Sequence, residues 1–166
     1  MKYHKLIAGE TTGAYAMESP ITEADILQMA QQLAMSRLSK GQTLSEPRHV
    51  FSHLQTLLRY HEYEVFALLL LDTKYQVIGF RELFRGTPDG VSAYPREVVR
   101  IALEHNAAAV ILVHKHPAGA PEPSQADRTL TTTLKNALNM VGTRILDHVV
   151  VGSTGGCVSF AERGYL

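Results

Sequence analysis

The pattern of hydrophobic and polar positions divides the chain into two parts, in which the hydrophobic residues are spaced differently. In the first stretch, apolar residues recur at helical spacing over residues 21–38 and again over 47–60. Thr22 is suited to cap the first of these helices, and Asp25 follows three residues later. We therefore expect residues 1–45 to form a helical N-terminal extension.

The spacing of apolar residues changes near residue 64. Beyond that point, short apolar runs alternate with amphipathic segments. Residues 65–71 are a continuous apolar run, typical of a strand buried on both faces, and residues 76–84 complete a hairpin with it. The pattern then predicts a helix, a buried strand, a second helix and a closing pair of strands, at 96–105, 107–114, 124–141, 145–151 and 157–160. This alternation predicts an α/β or α+β sandwich with one central sheet.

Composition narrows the class of protein. The 166 residues carry 16 basic and 16 acidic side chains, and this zero net charge argues against binding a polyanion through bulk charge. A single cysteine, Cys157, rules out an intramolecular disulfide and suits a reducing compartment. No apolar run approaches the roughly 20 residues that cross a bilayer, and the N-terminus lacks a signal-peptide pattern. We expect a cytoplasmic protein with no membrane partner.

The candidate chemistry lies at the end of the second buried strand. His114 and His116 are two residues apart, so their side chains lie on the same face of a strand. Asp127 falls in the first turn of the following helix, and two imidazoles plus one carboxylate leave an open position, as in a catalytic zinc site. Ser124 and Asp127 also fit an ordinary helix start, with a serine cap and an acid near the positive end of the helix dipole.

The segment from His114 to Asp127 resembles a known metalloprotease signature. It matches H-x-H-x7-S-x2-D, the JAMM motif of the MPN/JAB superfamily. Within that superfamily the chain resembles the bacterial RadC family, which has historically been described as DNA-repair proteins. The resemblance covers roughly residues 47–166, and its further matching strings lie at 71–74, 82–87, 95–98, 105–109, 146–148 and 159–164.

The resemblance implies a fold and a ligand set. The fold is an MPN/JAB-type, cytidine-deaminase-like sandwich over residues 46–166, with a mixed curved sheet flanked by helices. His114, His116 and Asp127 match the ligands of one zinc ion per chain. Ser124 matches the serine that steadies the oxyanion of the tetrahedral intermediate. Lys115 departs from the asparagine that RadC proteins commonly carry there.

The catalytic base is left open between two glutamates. The superfamily's glutamate lies beside the first core strand, and Glu64, directly before that strand, is the favoured match. Glu82 on the neighbouring strand is the competitor. The chosen residue would take a proton from the attacking water and pass it to the leaving amine. For His148 we expect a supporting or folding role rather than metal ligation.

The leading hypothesis is a zinc metallopeptidase or isopeptidase that acts on a protein or peptide. The alternatives are a DNA-repair-associated protein that binds or processes DNA, and a non-catalytic MPN module that binds a partner. A non-haem iron oxygenase shares the ligand set of two histidines and a carboxylate. An exposed sheet edge would also support a homodimer.

Overall fold

The computed structural model describes residues 2–17, 19–42, 47–59, 61–86 and 93–166. In chain order its elements are β1 (Lys2–Tyr3), β2 (Leu6–Ala8), β3 (Tyr15–Met17), α1 (Glu23–Arg37), α2 (Pro47–Leu58), β4 (Val65–Leu71), β5 (Val77–Arg85), α3 (Pro95–Glu104), β6 (Ala109–His116), α4 (Gln125–Asn139), β7 (Arg144–Gly152) and β8 (Cys157–Ser159). The predicted boundary between residues 45 and 46, and the predicted end of the second helix at residue 60, lie outside the described residues.

A five-stranded mixed sheet forms the centre, in the order β5-β4-β6-β7-β8. β6 and β7 run parallel, and the other neighbouring pairs are antiparallel. β4 lies near the middle and is buried along its whole length, as its unbroken apolar sequence predicts. The hairpin from β4 to β5 turns at Asp72, whose side chain accepts hydrogen bonds from the backbone N–H groups of Lys74 and Gln76.

Helices cover both faces of this sheet. On one face α2 packs through Leu54 and Leu58 onto alternate residues of β4 and β6. On the other face Val98 of α3 and Leu134 of α4 pack onto the intervening residues. This arrangement of helices around a mixed sheet confirms the predicted fold class. None of the helices in the described ranges is both long and apolar enough to span a membrane.

The N-terminal region contains a small sheet in addition to the helix that the sequence predicts. The helix is present as α1, but β1, β2 and β3 form a separate antiparallel sheet before it. These strands have only two or three residues each, too few to show an alternating pattern. Polar contacts hold the sheet to α1, because His4 and Lys5 both reach the carboxylate of Asp25.

Candidate metal centre

The candidate centre forms where β4 begins and β6 ends. These strands are antiparallel neighbours, with Phe66 opposite His114 and Val65 opposite Lys115. Glu64, the residue before β4, therefore lies beside the carboxyl end of β6, where the two predicted ligand histidines are. The helix α4 begins close by and brings in Asp127 from its first turn. Three separate elements thus deliver the site's side chains to one end of the sheet.

Two carboxylates flank the ring of His114. Its Nε2 atom lies 2.6 Å from Oε1 of Glu64, and its Nδ1 atom lies 2.8 Å from Oδ1 of Asp127. His116 is nearly perpendicular to His114, with ring centroids 4.6 Å apart, and its Nε2 atom is 3.5 Å from the other oxygen of Asp127. His116 is the most exposed of the four side chains, at 19%. The cluster is therefore buried on one side and open to solvent at His116.

One nitrogen of this cluster has no hydrogen bond. His114 Nδ1 is buried and, despite its short distance to Asp127, is not aligned for a hydrogen bond with any partner. Buried polar atoms in proteins are almost always satisfied, so an orphaned imidazole nitrogen beside a carboxylate needs an explanation. Imidazole nitrogen and carboxylate oxygen are the donor types that zinc takes in catalytic sites. The residues present therefore fit a metal ion.

One group of side chains close enough to hold a metal ion differs in one member from the predicted triad. Ligand atoms of Glu64, His114 and His116 lie within 4.8 Å of one another, and this is a group that could hold an ion. The sequence predicts Asp127 in place of Glu64. Asp127 nevertheless contacts both histidines, so the structure brings all three predicted ligands and Glu64 together. Their division into ligands and base stays a prediction.

The charges of the cluster shift the pKa values of His114 and Asp127. Burial would lower the pKa of His114, but the carboxylates of Asp127 and Glu64 outweigh it, so the pKa lies above its ordinary value. Burial works against the ionised form of Asp127, yet the adjacent imidazoles of His114 and His116 and the hydrogen bond from Ser124 hold its pKa well below the usual range. Without a metal, the cluster therefore favours a protonated His114 beside an ionised Asp127.

Ser124 is the N-cap of α4 and is tied to Asp127. Its hydroxyl donates to Oδ2 of Asp127 at 2.6 Å and accepts from the backbone N–H of Asp127 at 3.1 Å. The Ser124 backbone N–H also donates to the same carboxylate oxygen, which completes a capping box. The single proton of the Ser124 hydroxyl is thus donated to Asp127, the predicted ligand. The oxyanion role of Ser124 stays a prediction.

The two candidate bases lie in different surroundings. Glu64 contacts His114, as described above, whereas Glu82 pairs with Arg85 at 3.0 Å and with His61 at 3.5 Å. Glu82 stands opposite Ala67, whose side chain packs on the sheet face covered by α2. The structure therefore places Glu64, and not Glu82, at the histidine cluster.

Contacts that no sequence pattern predicts hold the end of β6 in place. Lys115 is fully buried, and its Nζ atom donates to the carbonyl of His116 at 2.8 Å and to Oγ of Ser153 at 2.5 Å. Ser153 lies in the loop after β7 and also hydrogen-bonds the carbonyl of Pro117 at 2.7 Å. Burial lowers the pKa of Lys115. No local pattern links residues 115 and 153, since the contact spans distant parts of the chain.

His148 lies behind the histidine cluster and is completely buried. Its ring stacks on His114 with centroids 6.1 Å apart and an interplanar angle of 12°. Burial, and then the charge of His114, lower the pKa of His148 to about 3, so its ring is neutral. The supporting or folding role expected of His148 stays a prediction.

Comparison with known proteins gives one family. Residues 44–165, well over half of the chain, match the family model described as RadC-like JAB domain. A UPF0758 protein of Vibrio cholerae is 48% identical over 92% of this chain and 95% of its own length. A UPF0758 protein of Xanthomonas axonopodis pv. citri is 52% identical over 86% of this chain but only 63% of its own length. One of Halorhodospira halophila is 54% identical over 84% of this chain and 62% of its own. The chain thus spans less than two thirds of the longer relatives, and none of these names states an activity.

Proposed function

The chain belongs to the RadC-like JAB domain family, and from this premise we propose that it is a zinc-dependent hydrolase that cleaves an amide bond. The observation that carries the proposal is the convergence of two imidazoles and two carboxylates at one end of the sheet, with a buried imidazole nitrogen left unsatisfied. In a purely structural cluster this buried nitrogen would be left without a hydrogen bond, at a cost in stability.

We assign the ion to His114, His116 and Asp127. A bound zinc ion would lower the pKa of a water molecule towards about 7 and polarise a substrate carbonyl. A histidine ligand binds through one ring nitrogen and is oriented through the other, and His114 has a carboxylate beside each of its nitrogens. Because a histidine ligand must be neutral and the carboxylates raise the pKa of His114, zinc affinity is expected to fall as the pH falls.

We assign the proton transfers to Glu64. Its carboxylate is largely buried and lies 2.6 Å from a ring nitrogen of His114. From there it would accept the proton of the attacking water and deliver it to the leaving amine. Ser124 orients Asp127 through the capping box, and it can donate to an oxyanion only when its hydroxyl proton leaves Asp127.

We propose a protein or peptide substrate rather than a nucleic acid. Besides the zero net charge, two of the surface arginines are already paired with glutamates. Arg85 pairs with Glu82, and Arg100 pairs with glutamates of its own helix. A surface whose guanidinium groups are neutralised attracts phosphates weakly. Strong, salt-dependent binding to duplex DNA would favour the DNA-repair alternative instead.

The experiment compares Glu64→Gln with Glu82→Gln. Both replace a glutamate by its neutral isostere, but only the first changes the histidine cluster. We expect zinc-loaded Glu64→Gln to keep its metal and to lose at least the 10²-fold that general acid–base catalysis contributes. The readout is hydrolysis of a panel of peptide and isopeptide-linked fluorogenic substrates, with metal content measured on the same samples.

The control variant shows whether the loss of cleavage comes specifically from the proposed base. Glu82→Gln should cleave like the wild type, since Glu82 lies against His61 and Arg85. Cleavage that persists unchanged in Glu64→Gln would remove Glu64 from the mechanism. A wild type that holds zinc but cleaves no member of the panel would favour a partner-binding module.

A further inference from the structure

His148 sits in β7 on the face of the sheet that carries His114. Its ring packs against Phe160 at a centroid distance of 4.5 Å and against Phe66 at 5.9 Å, as well as on the ring of His114. With no exposed surface, the side chain has the surroundings of a core aromatic residue. A single hydrogen bond from its Nδ1 atom distinguishes His148 from a core aromatic residue.

That hydrogen bond leads to the backbone of Asp127. His148 Nδ1 lies 2.7 Å from Oγ1 of Thr131, and the same hydroxyl oxygen lies 2.6 Å from the carbonyl oxygen of Asp127. A carbonyl can only accept, so the one proton of the Thr131 hydroxyl goes to Asp127. Thr131 must then accept from His148, which places the proton of the neutral imidazole on Nδ1.

This tautomer leaves the other nitrogen with an unused lone pair. His148 Nε2 is buried and has no hydrogen-bond partner. An unsatisfied polar atom in the core is costly, and a hydrocarbon ring would fill an aromatic environment without that cost. The imidazole is therefore poorly explained by packing alone, and its Nδ1–H group is the part that a phenylalanine could not replace.

The contact also ties together the two halves of the proposed ligand set. His114 and His116 come from β6, whereas Asp127 comes from α4. β7 is the parallel neighbour of β6, and Thr131 lies one helical turn beyond Asp127. Apart from the contacts of Asp127, the hydrogen bond from His148 to Thr131 is the one side-chain hydrogen bond that the described residues show between α4 and the five-stranded sheet.

We propose that His148 is a positioning residue, which through Thr131 holds the first turn of α4, and with it Asp127, at a fixed distance from the two histidines of β6. The inference rests on the proposed metal site but concerns residues that would not touch the ion. Groups that orient ligands from outside the coordination shell typically change metal affinity by about 10–100-fold when they are removed.

The test measures zinc affinity and metal-free stability on the same variants. Thr131→Val removes the hydroxyl and keeps the shape, and His148→Phe keeps an aromatic ring and removes Nδ1–H. We expect each to weaken zinc binding by about 10–100-fold in a chelator competition titration. The double variant should bind zinc no more weakly than the weaker-binding single variant, because both changes break the same hydrogen bond. Thr131→Ser, which keeps the hydroxyl, should bind zinc like the wild type.

The metal-free melting temperature distinguishes positioning from packing. His148→Phe should melt close to the wild-type temperature when metal-free, because removal of the unsatisfied Nε2 atom offsets the lost hydrogen bond to Thr131, while its zinc affinity falls. The visible absorption of the Co²⁺-loaded proteins should also change in both single variants, since it reports ligand geometry. A role in packing alone would lower stability and affinity together.

Two results would overturn the inference, and they differ in what they say of the proposed function. If the wild type binds zinc and both single variants bind it equally well, the positioning role is wrong and the metal site stands. If the wild type itself binds no zinc, the proposed function and this inference fall together.

Discussion

Two helices of this molecule begin with the same motif and use it differently. α1 opens with Thr22 and Asp25, and α4 opens with Ser124 and Asp127. In both, the cap hydroxyl and the cap backbone N–H donate to one oxygen of the aspartate, at 2.8 and 2.8 Å in α1 and at 2.6 and 2.7 Å in α4. In both, a histidine approaches the other oxygen, at 2.6 and 2.8 Å.

The difference lies in what surrounds each carboxylate. Asp25 is also paired with Lys5 at 2.9 Å, and together with His4 this contact fastens the small N-terminal sheet to α1. An ammonium group neutralises the carboxylate and repels a cation, so Asp25 is suited to a structural tether. Asp127 instead is buried between two histidines. A capping box fixes the direction of a carboxylate, and the neighbouring side chains decide whether it can bind a metal.

The largest effect on zinc affinity should come from neutralising Asp127, compared with neutralising Asp25. We expect Asp127→Asn to weaken zinc binding by more than the roughly 10–100-fold that loss of a supporting contact costs. Asp25→Asn should leave zinc affinity unchanged, since its partners are His4 and Lys5. Chelator competition on both variants gives the comparison. Equal loss of affinity in the two would show that the caps are not functionally distinct.

The next effect concerns the loop that leads from β6 to Ser124. A Cβ atom on Gly152 would lie 2.5 Å from the carbonyl oxygen of Gly119 and 2.9 Å from Cδ of Pro121, so the loop would have to move. Gly152→Ala should therefore lower the free energy of unfolding by about 1–3 kcal/mol and also weaken zinc binding. Gly79→Ala is the matched control, because its nearest contact would be the flexible side chain of Arg81 at 3.6 Å. Chemical denaturation measures both, and equal destabilisation by the two alanines would contradict the account.

A smaller effect should separate the two cap hydroxyls. Thr22→Ala and Ser124→Ala each remove a capping hydrogen bond, and each should lower the free energy of unfolding by about 1 kcal/mol. Only Ser124→Ala should also weaken zinc binding, because its hydroxyl donates to the proposed ligand. Denaturation and zinc titration on the two variants provide the measurement. A loss of zinc affinity in Thr22→Ala would argue against this distinction.

The smallest effect is a pH dependence of the N-terminal tether. The hydrogen bond from Lys5, followed by those from Thr22 and His4, holds the pKa of Asp25 well below its ordinary value. Its stabilising contribution is therefore present above the unfolded pKa of about 3.9 and is lost as the pH falls below it. The stability difference between the wild type and Asp25→Asn should shrink from pH 7 to pH 3, measured by urea unfolding. Because both chains keep Asp127, its own titration cancels, and a constant difference would contradict the tether.

The sequence predicted those parts of the molecule that local patterns encode. The unbroken apolar run predicted β4, and the combination of a strand-end histidine pair with a serine cap predicted the start of α4 and the residues that meet at its first turn. It did not predict the N-terminal sheet, whose strands are too short to show a period.

The missing parts of the site are contacts between residues far apart in the chain. Lys115 meets Ser153, and Thr131 meets His148, across 38 and 17 positions. Neither pair forms a motif, so only the packed fold shows it. The sequence could not choose between Glu64 and Glu82 for the same reason. Glu64 precedes one strand and Glu82 lies on its neighbour, and only the sheet register shows how their surroundings differ.

The most direct test of the central claim is the metal content of the untagged protein by elemental mass spectrometry. Wild type is measured beside His114→Ala/His116→Ala and beside His49→Ala/His53→Ala, a pair of histidines one turn apart on α2 and outside the cluster. We predict close to one zinc per chain in the wild type and in the α2 variant, and none in the His114→Ala/His116→Ala variant. Equal zinc in all three proteins, or none in the wild type after reconstitution, would contradict the assignment of the cluster as a metal centre.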